Sequence, residues 1–271
     1  IGLACIASAS VRPLHEGAWA NDGYHERQAQ FLGLAVLLGI GAAAIPYWRI
    51  SRLAWWIYLA GLASLILVMV GGNTVNGAKR WFSFGPITMQ PSEFVKLTTI
   101  IMLAAYLRWW RGHQSFVGLL VPGLIVLVPM LLILRQPDLG TTLVFVPIWL
   151  AMIFVAGASR KHLAILVILG AVIAVVGFHG LLKPYQRARL TAFMDPEAVY
   201  ETDGYHLVHS KTAIGNGGLL GNGPGSGAQN SLGYLPENHT DFIFGVIGEE
   251  YGLLGTLVTI ALYTILLWQI L

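Results

Sequence analysis

The chain has 271 residues, of which 56% are hydrophobic and only 11% charged, and its mean hydropathy is +0.67. Soluble domains carry about 25% charged residues, so this composition excludes an ordinary soluble protein and describes an all-α, polytopic integral membrane protein. The formal net charge of +3 is dispersed as basic pairs among separate loops; that pattern excludes a nucleic-acid-binding face, and nucleic acid is rejected as a partner.

Taken in chain order, a helix ending near Ser10 is followed by apolar runs at 31–45, 53–71, 93–107, 116–134, 141–157, 163–180 and 242–271. Each is long enough to cross a hydrocarbon core once tilt and local thinning are allowed, so eight spanning helices are expected. Cys5 is the single cysteine and sits in an apolar segment, which makes it packing material and rules out a disulfide within the chain. The chain opens on Ile1 and both ends lie inside apolar segments, so it reads as trimmed at both ends. LACIASAS lacks a basic flank and reads as the remainder of a first spanning helix, not as a signal peptide.

Three short loops carry Arg49 and Arg52, Arg108 and Arg111, and Arg160 and Lys161, without one Asp or Glu. Basic loops of this kind face the cytoplasm. Residues 11–30, 72–92, 135–140 and 181–241 then lie on the opposite side, and every carboxylate belongs to that side or to the adjoining membrane. No repeat of 20–50 residues and no Pro- or Ser-rich linker divides the chain, so residues 1–271 read as one membrane domain.

The segment 181–241 is far longer than an ordinary connection, and chemistry is expected there. Aromatic and aliphatic residues recur in YQRARLTAFMDP and GYHLVHSKTAIG, which predicts short amphipathic helices at the interface. The glycine-dense stretch 215–227 can bring its backbone close to a ligand, yet it lacks the Gly-Lys-Ser/Thr ending of a nucleotide loop.

Carboxylates crowd the next membrane boundary: Asp241, Glu249 and Glu250 fall within ten residues, where an uncompensated acid costs about 2.5–3.5 kcal/mol. Asp241 has two readings that do not exclude one another. It can cap a helix beginning at Phe242, or act as a general base at the water-facing mouth of the membrane, where an alcohol substrate can arrive. Glu237, His239 and Asp241 alternate, so in an extended segment they would project to one side and could bind a divalent cation. Magnesium or manganese suits these ligands better than zinc, whose usual motif spacings are absent. His206 and His209 would share one face of a short helix. In QPSEFVKL, Glu93 and Lys96 stand three apart at a helix start, placed to form a structural or regulatory ion pair, with Ser92 as the expected cap. Lys79 and Arg80, followed by Trp81 and Phe82, have the composition of an interfacial anchor. Arg80, Arg135 and Lys211 are on the same side as Asp241 and could meet an anionic lipid headgroup.

The motifs NGAKRWFSFGPITMQPSEFVKL, RQPDLGTTLVF, GYHLVHSKTAIGNGGLLG and LPENHTDFIFGVIGEEYGLLG, in this order, resemble the SEDS (shape, elongation, division and sporulation) proteins over most of the chain. His209-Ser210-Lys211 and Gln229 are most similar to the RodA-type branch, with the FtsW-type branch second, while GNGPGSGAQNSLGY departs from the commoner wording. The resemblance implies a SEDS fold of ten spanning helices. It implies a bacterial cytoplasmic-membrane glycosyltransferase that polymerises lipid II into peptidoglycan strands for cell-wall elongation and rod shape, with 181–241 as its extracytoplasmic catalytic loop. It further implies a class B penicillin-binding protein as partner, among other elongation-complex proteins and membrane lipids. The family's essential aspartate falls on Asp241, its G-A-x-R-W arginine on Arg80, and its QPSE-x-x-K pair on Glu93 and Lys96. Lys211, Gln229, Glu237 and His239 are expected to contact substrate. A transporter that flips lipid-linked precursors along Glu93, Lys96, Glu249 and Glu250 is the main rival, and a non-catalytic scaffold is a third reading.

Overall fold

The computed structural model describes residues 2–13, 19–21, 23–75, 78–84, 87–109, 112, 115–180, 187, 191–192, 194–197, 200, 204–235 and 238–270. Its packing divides into two compact units, Ile1–Gly41 with Leu182–Leu271, and Ala42–Leu181.

In the second unit, α3 (Tyr47–Gly71), α4 (Pro91–Trp109), α5 (Leu120–Arg135, entered by a 3-10 turn at Val117–Leu119), α6 (Leu139–Val155) and α7 (Arg160–Gly180) are the expected apolar runs folded as helices. Their outward faces remain apolar: Leu67, Val70, Phe154 and Ile168 are all exposed, as side chains that meet lipid must be. Leu65, Val95, Leu103, Ile133 and Phe145 are fully buried and form the shared interior. Because lipid is as apolar as these side chains, close approach and polar contacts decide which faces meet. Gly61 provides the approach between α3 and α4, since a Cβ there would stand 2.6 Å from Thr98 Oγ1. Two buried hydrogen bonds tie the bundle: Tyr58 hydroxyl to the Ile125 carbonyl at 2.8 Å and Gln136 Nε2 to the Leu65 carbonyl at 3.2 Å.

Strands appear where only loops were expected. β3 (Asn73–Val75), β4 (Ala78–Phe84) and β5 (Ile87–Met89) form an antiparallel meander between α3 and α4, with Thr74 opposite Lys79 and Ser83 opposite Thr88. The sequence carries Asn-Gly at 76–77 and Gly-Pro at 85–86, pairs that favour turns between short strands, beside the Lys-Arg-Trp-Phe composition of an interfacial anchor.

The first unit holds α1 (Gly2–Ala9), a short hairpin of β1 (Val11–Pro13) and β2 (Trp19–Asn21), the start of α2 (Tyr24–Ala44), α8 (Tyr205–Asn216), α9 (Ala228–Ser231) and α10 (Ile243–Ile270). Cys5 is buried on α1, as a packing residue should be. Of the two amphipathic helices expected in the long loop, the second is α8; half of the first lies outside the described residues.

The last expected span is not one continuous helix. At Gly252 (φ 64°, ψ −160°) the helical ladder of α10 breaks, separating the N–H groups of Leu253 and Leu254 from the carbonyls of Glu249 and Glu250. The glycine loop after α8 supplies the missing partners. Leu253 N–H donates to the Gly218 carbonyl at 2.9 Å and Leu254 N–H to that of Leu219 at 3.2 Å. In return the Glu249 carbonyl accepts from Asn222 N–H and that of Glu250 from Gly223 N–H, both at 3.0 Å. Unpaired backbone is prohibitively costly near lipid, so a broken helix needs such a substitute.

Candidate functional site

Asp241 lies in the turn 238–242 that leads into α10, and it is exposed. The helix begins at Ile243, not at Phe242, and among the described residues no backbone N–H donates to the Asp241 carboxylate. Among the described residues, then, the capping role is not taken up and Asp241 stands exposed. The turn also overturns the extended geometry expected of Glu237, His239 and Asp241: alternation cannot place side chains on one side where the backbone turns, and Glu237 itself lies outside the described residues. His239 is instead stacked on Tyr24, ring centroids 4.0 Å apart and 7° from parallel.

α8 brings a second group of residues to the start of α10. His206 stacks on Phe242, the residue after Asp241, with centroids 5.8 Å apart. One turn on, His209 sits among aromatic rings: Tyr205 at 4.2 Å, Tyr234 at 5.7 Å in near-parallel stacking, and Tyr200 at 6.1 Å. His209 Nδ1 is 2.8 Å from Gln229 Oε1, an acceptor, so in the neutral ring this nitrogen carries the hydrogen. Nε2 is then free to accept from the Tyr200 hydroxyl at 3.1 Å. Gln229 thus orients His209. Lys211 is exposed on α8, a mobile cation on a flexible stem.

Gln229 is itself held by Glu249. This carboxylate is 0% exposed and accepts from Gln229 N–H (Oε1, 2.9 Å) and Asn230 N–H (Oε2, 3.4 Å), the free donors at the first turn of α9. Glu250, 1% exposed, accepts from Ser8 Oγ at 2.6 Å, and Ser8 Oγ in turn accepts from Gly225 N–H at 3.0 Å. Asn238 donates to the Ala9 carbonyl at 3.2 Å and to Asn230 Oδ1. The close backbone approach expected of residues 215–227 is made to α10 itself. A Cβ on Gly227 would stand 2.5 Å from Glu249 Oε2, and one on Gly221 would overlap the Glu250 carbonyl.

In the second unit Arg80, on β4, is 3.6 Å from Asp138 Oδ2. Asp138 was not anticipated as a site residue. Its Oδ1 accepts from Thr141 N–H at 3.1 Å, capping α6, while Oδ2 accepts from Thr141 Oγ1 at 2.9 Å and from Gln90 Nε2 at 3.0 Å. The signal was available: an Asp three residues before a Thr at the start of an apolar run. Lys96 Nζ stands 2.8 Å from Glu93 Oε2, so the expected ion pair is present, although the Glu93 side chain is 56% exposed. Ser92 is not the cap of α4. The helix starts one residue earlier at Pro91, and Ser92 Oγ is buried without a hydrogen-bond partner among the described residues.

No three His, Cys, Asp or Glu side chains come together in a metal-binding arrangement among the described residues. Glu237, one of the ligands expected of such an ion, lies outside the described residues.

The family model FTSW_RODA_SPOVE, described as a cell cycle protein, matches residues 1–271. A curated relative from Thioalkalivibrio sulfidiphilus, named probable peptidoglycan glycosyltransferase FtsW, is 41% identical over 99% of this chain and 68% of its own length. Among solved structures, one described as structural coordination of polymerization and crosslinking by a peptidoglycan synthase complex superposes with a TM-score of 0.77 at 32% identity, covering 92% of this chain and 69% of that one. The rod shape determining protein RodA of Thermus thermophilus superposes with a TM-score of 0.65 at 29% identity, covering 99% and 68%. Matched by this family model over its whole length and 41% identical to a curated relative, the chain belongs to the FtsW/RodA/SpoVE family, the SEDS proteins, and is a multi-pass membrane protein.

Proposed function

We propose that this protein is a peptidoglycan glycosyltransferase of the bacterial cytoplasmic membrane that polymerises lipid II at the outer face, with Asp241 as general base. The observation that carries the reading is the position of Asp241: an exposed carboxylate with no competing hydrogen bond among the described residues, at the mouth of a spanning helix and next to the α8 face that carries His206. Polymerisation requires the 4-hydroxyl of one disaccharide to attack the anomeric carbon of a chain carried on undecaprenyl pyrophosphate. Asp241 takes the hydroxyl proton as the new C–O bond forms. The pyrophosphate leaves as an anion and needs no proton, so one carboxylate suffices where a glycosidase uses two. Cationic side chains offset the charge that develops on it, and Arg80 and Lys211 are the residues proposed for this. Direct attack inverts the α-linked donor to a β linkage. Gln229 and His209, with Glu237 and His239, are proposed to contact the saccharide. Magnesium or manganese belongs to this reading as a companion of the substrate's pyrophosphate.

The curated relative's name supports a division role of the FtsW type as the finer assignment. The RodA-type elongation role drawn from His209-Ser210-Lys211 and Gln229 is the second reading, supported by the superposition on RodA. Either role includes a class B penicillin-binding protein as partner, a reading supported by the similarity to a structure that coordinates polymerization and crosslinking. The transporter reading loses support because Glu249 and Glu250 are enclosed by protein donors. Full-length purified protein incubated with labelled lipid II separates the possibilities: glycan strands identify a polymerase, transfer between leaflets a flippase, and neither a scaffold. Complementation of cells depleted of the division or the elongation homologue then separates the two roles.

A further inference from the structure

The end of the second unit remote from the meander carries a feature that polymerisation does not use. Here the N-terminus of α3 meets the C-terminus of α4, and a groove of about 310 Å³ opens between them, lined by Ser51, Arg52 and Trp55 from one helix and Met102, Tyr106 and Trp109 from the other. That volume is within the range of small-molecule sites. Its most buried lining residues are apolar, Ala54 at 2% and Met102 at 9% exposed, while Trp55 and Trp109 stand open at its walls.

The charge at this end has one sign. Arg49 and Arg52 both hold their guanidinium groups 5.2 Å from the ring centre of Trp48, and Arg108 holds its own 5.0 Å from that of Trp109. Among the described residues none of the three arginines forms an ion pair. A guanidinium resting on an aromatic face keeps its edge N–H donors available, and those donors match the oxygens of a phosphate. A basic, aromatic-walled cleft between spanning helices, with apolar side chains at its base, has the chemistry of an anionic lipid site. A protein helix docking here would have to leave Arg52 beside an apolar surface.

We infer that this groove binds an anionic glycerophospholipid of the adjoining leaflet, its phosphate on Arg52 and the first part of an acyl chain against Ala54 and Met102. Binding at this end holds α3 against α4, the pair that also carries Glu93 and Lys96.

The test uses full-length protein equilibrated with equal amounts of phosphatidylglycerol and phosphatidylcholine, with retained lipid counted by native mass spectrometry. Wild-type protein should retain phosphatidylglycerol in preference. Arg52→Gln, at an exposed position where folding is not at stake, should lower that retention about fivefold. Arg160→Gln, an equally exposed basic residue outside the groove, should leave it unchanged. Ala105→Trp, which fills the groove without altering charge, should lower retention of both lipids. Equal retention of the two lipids by wild type would overturn the inference. So would an Arg52→Gln effect no larger than that of Arg160→Gln, or an Ala105→Trp variant that still binds phosphatidylglycerol as wild type does; those results would leave the groove to a protein helix.

Discussion

Glu249 and Glu250 are neighbours in the chain, yet their carboxylates hold different parts of the site. Glu249 satisfies the first N–H groups of α9 and so fixes Gln229, which orients His209; Glu250 ties α1 to the glycine loop through Ser8. Removing Glu249 leaves one buried donor, Asn230 N–H, and one part-buried donor, Gln229 N–H, without partners, and a buried donor so stranded costs about 1–3 kcal/mol. Glu249→Ala should therefore lower thermal stability by several degrees at least, and Glu249→Gln, which keeps one acceptor oxygen, by less. Equal melting temperatures for Glu249→Ala and wild type would contradict this account of the residue. Glu93 and Lys96 are a different case, because a pair with one partner half-exposed couples weakly. A double-mutant cycle with Glu93→Gln and Lys96→Met should give a stability coupling of about 0.2–1 kcal/mol, and one of 3 kcal/mol would mean the pair is far better shielded than its exposure indicates. The ion pair was legible in the sequence because i and i+3 spacing on a helix needs no tertiary information. The roles of Tyr200, Tyr234 and Ser8 were not, because each depends on a residue 9, 25 or 242 positions away, brought near only by the fold.

The helices were legible because hydropathy alone dictates where a chain can cross a bilayer, and each of the eight expected runs falls on one. Their interruption was not legible. A glycine inside an apolar run reads as tolerated packing, and only the paired loop reveals that Gly252 ends one ladder and starts another. The same pairing explains the density of glycine after α8. Gly221 adopts φ +82° and has the Glu250 carbonyl where a Cβ would go, whereas Gly225 adopts φ +71° with open space around it. Gly225→Ala should cost only the strain of the left-handed conformation, about 1–2 kcal/mol. Gly221→Ala must also push the loop off α10, breaking its substitute hydrogen bonds, and should be the more destabilising of the two by thermal unfolding in detergent or nanodiscs. Equal losses would show that backbone conformation alone, and not close approach, selects glycine there. The meander of β3–β5 was missed for a related reason: its strands are three to seven residues long, and their polar and aromatic composition also suits a membrane interface.

For the whole molecule, function depends on which side of the membrane Asp241 faces. The N-terminus of α3, the C-terminus of α4 and the N-terminus of α7 carry Arg49, Arg52, Arg108, Arg160 and Lys161, and the proposal that these ends are cytoplasmic puts the loop before α10 outside. A cysteine introduced at position 222 should react with a membrane-impermeant reagent in intact cells, and one at position 160 only after permeabilisation; the reverse pattern would put the site on the side where no growing glycan is found. The central claim is that an exposed carboxylate at the membrane mouth removes the proton during sugar transfer. It is tested most directly by the rate at which full-length Asp241→Asn protein, at matched level and bound to its penicillin-binding partner, polymerises lipid II. Because the Asp241 carboxylate caps nothing in the described structure, asparagine should leave folding intact while the rate falls by about 10²–10⁴, the contribution of a positioned general base. A variant that folds, binds its partner and makes glycan strands at close to the wild-type rate would contradict the assignment.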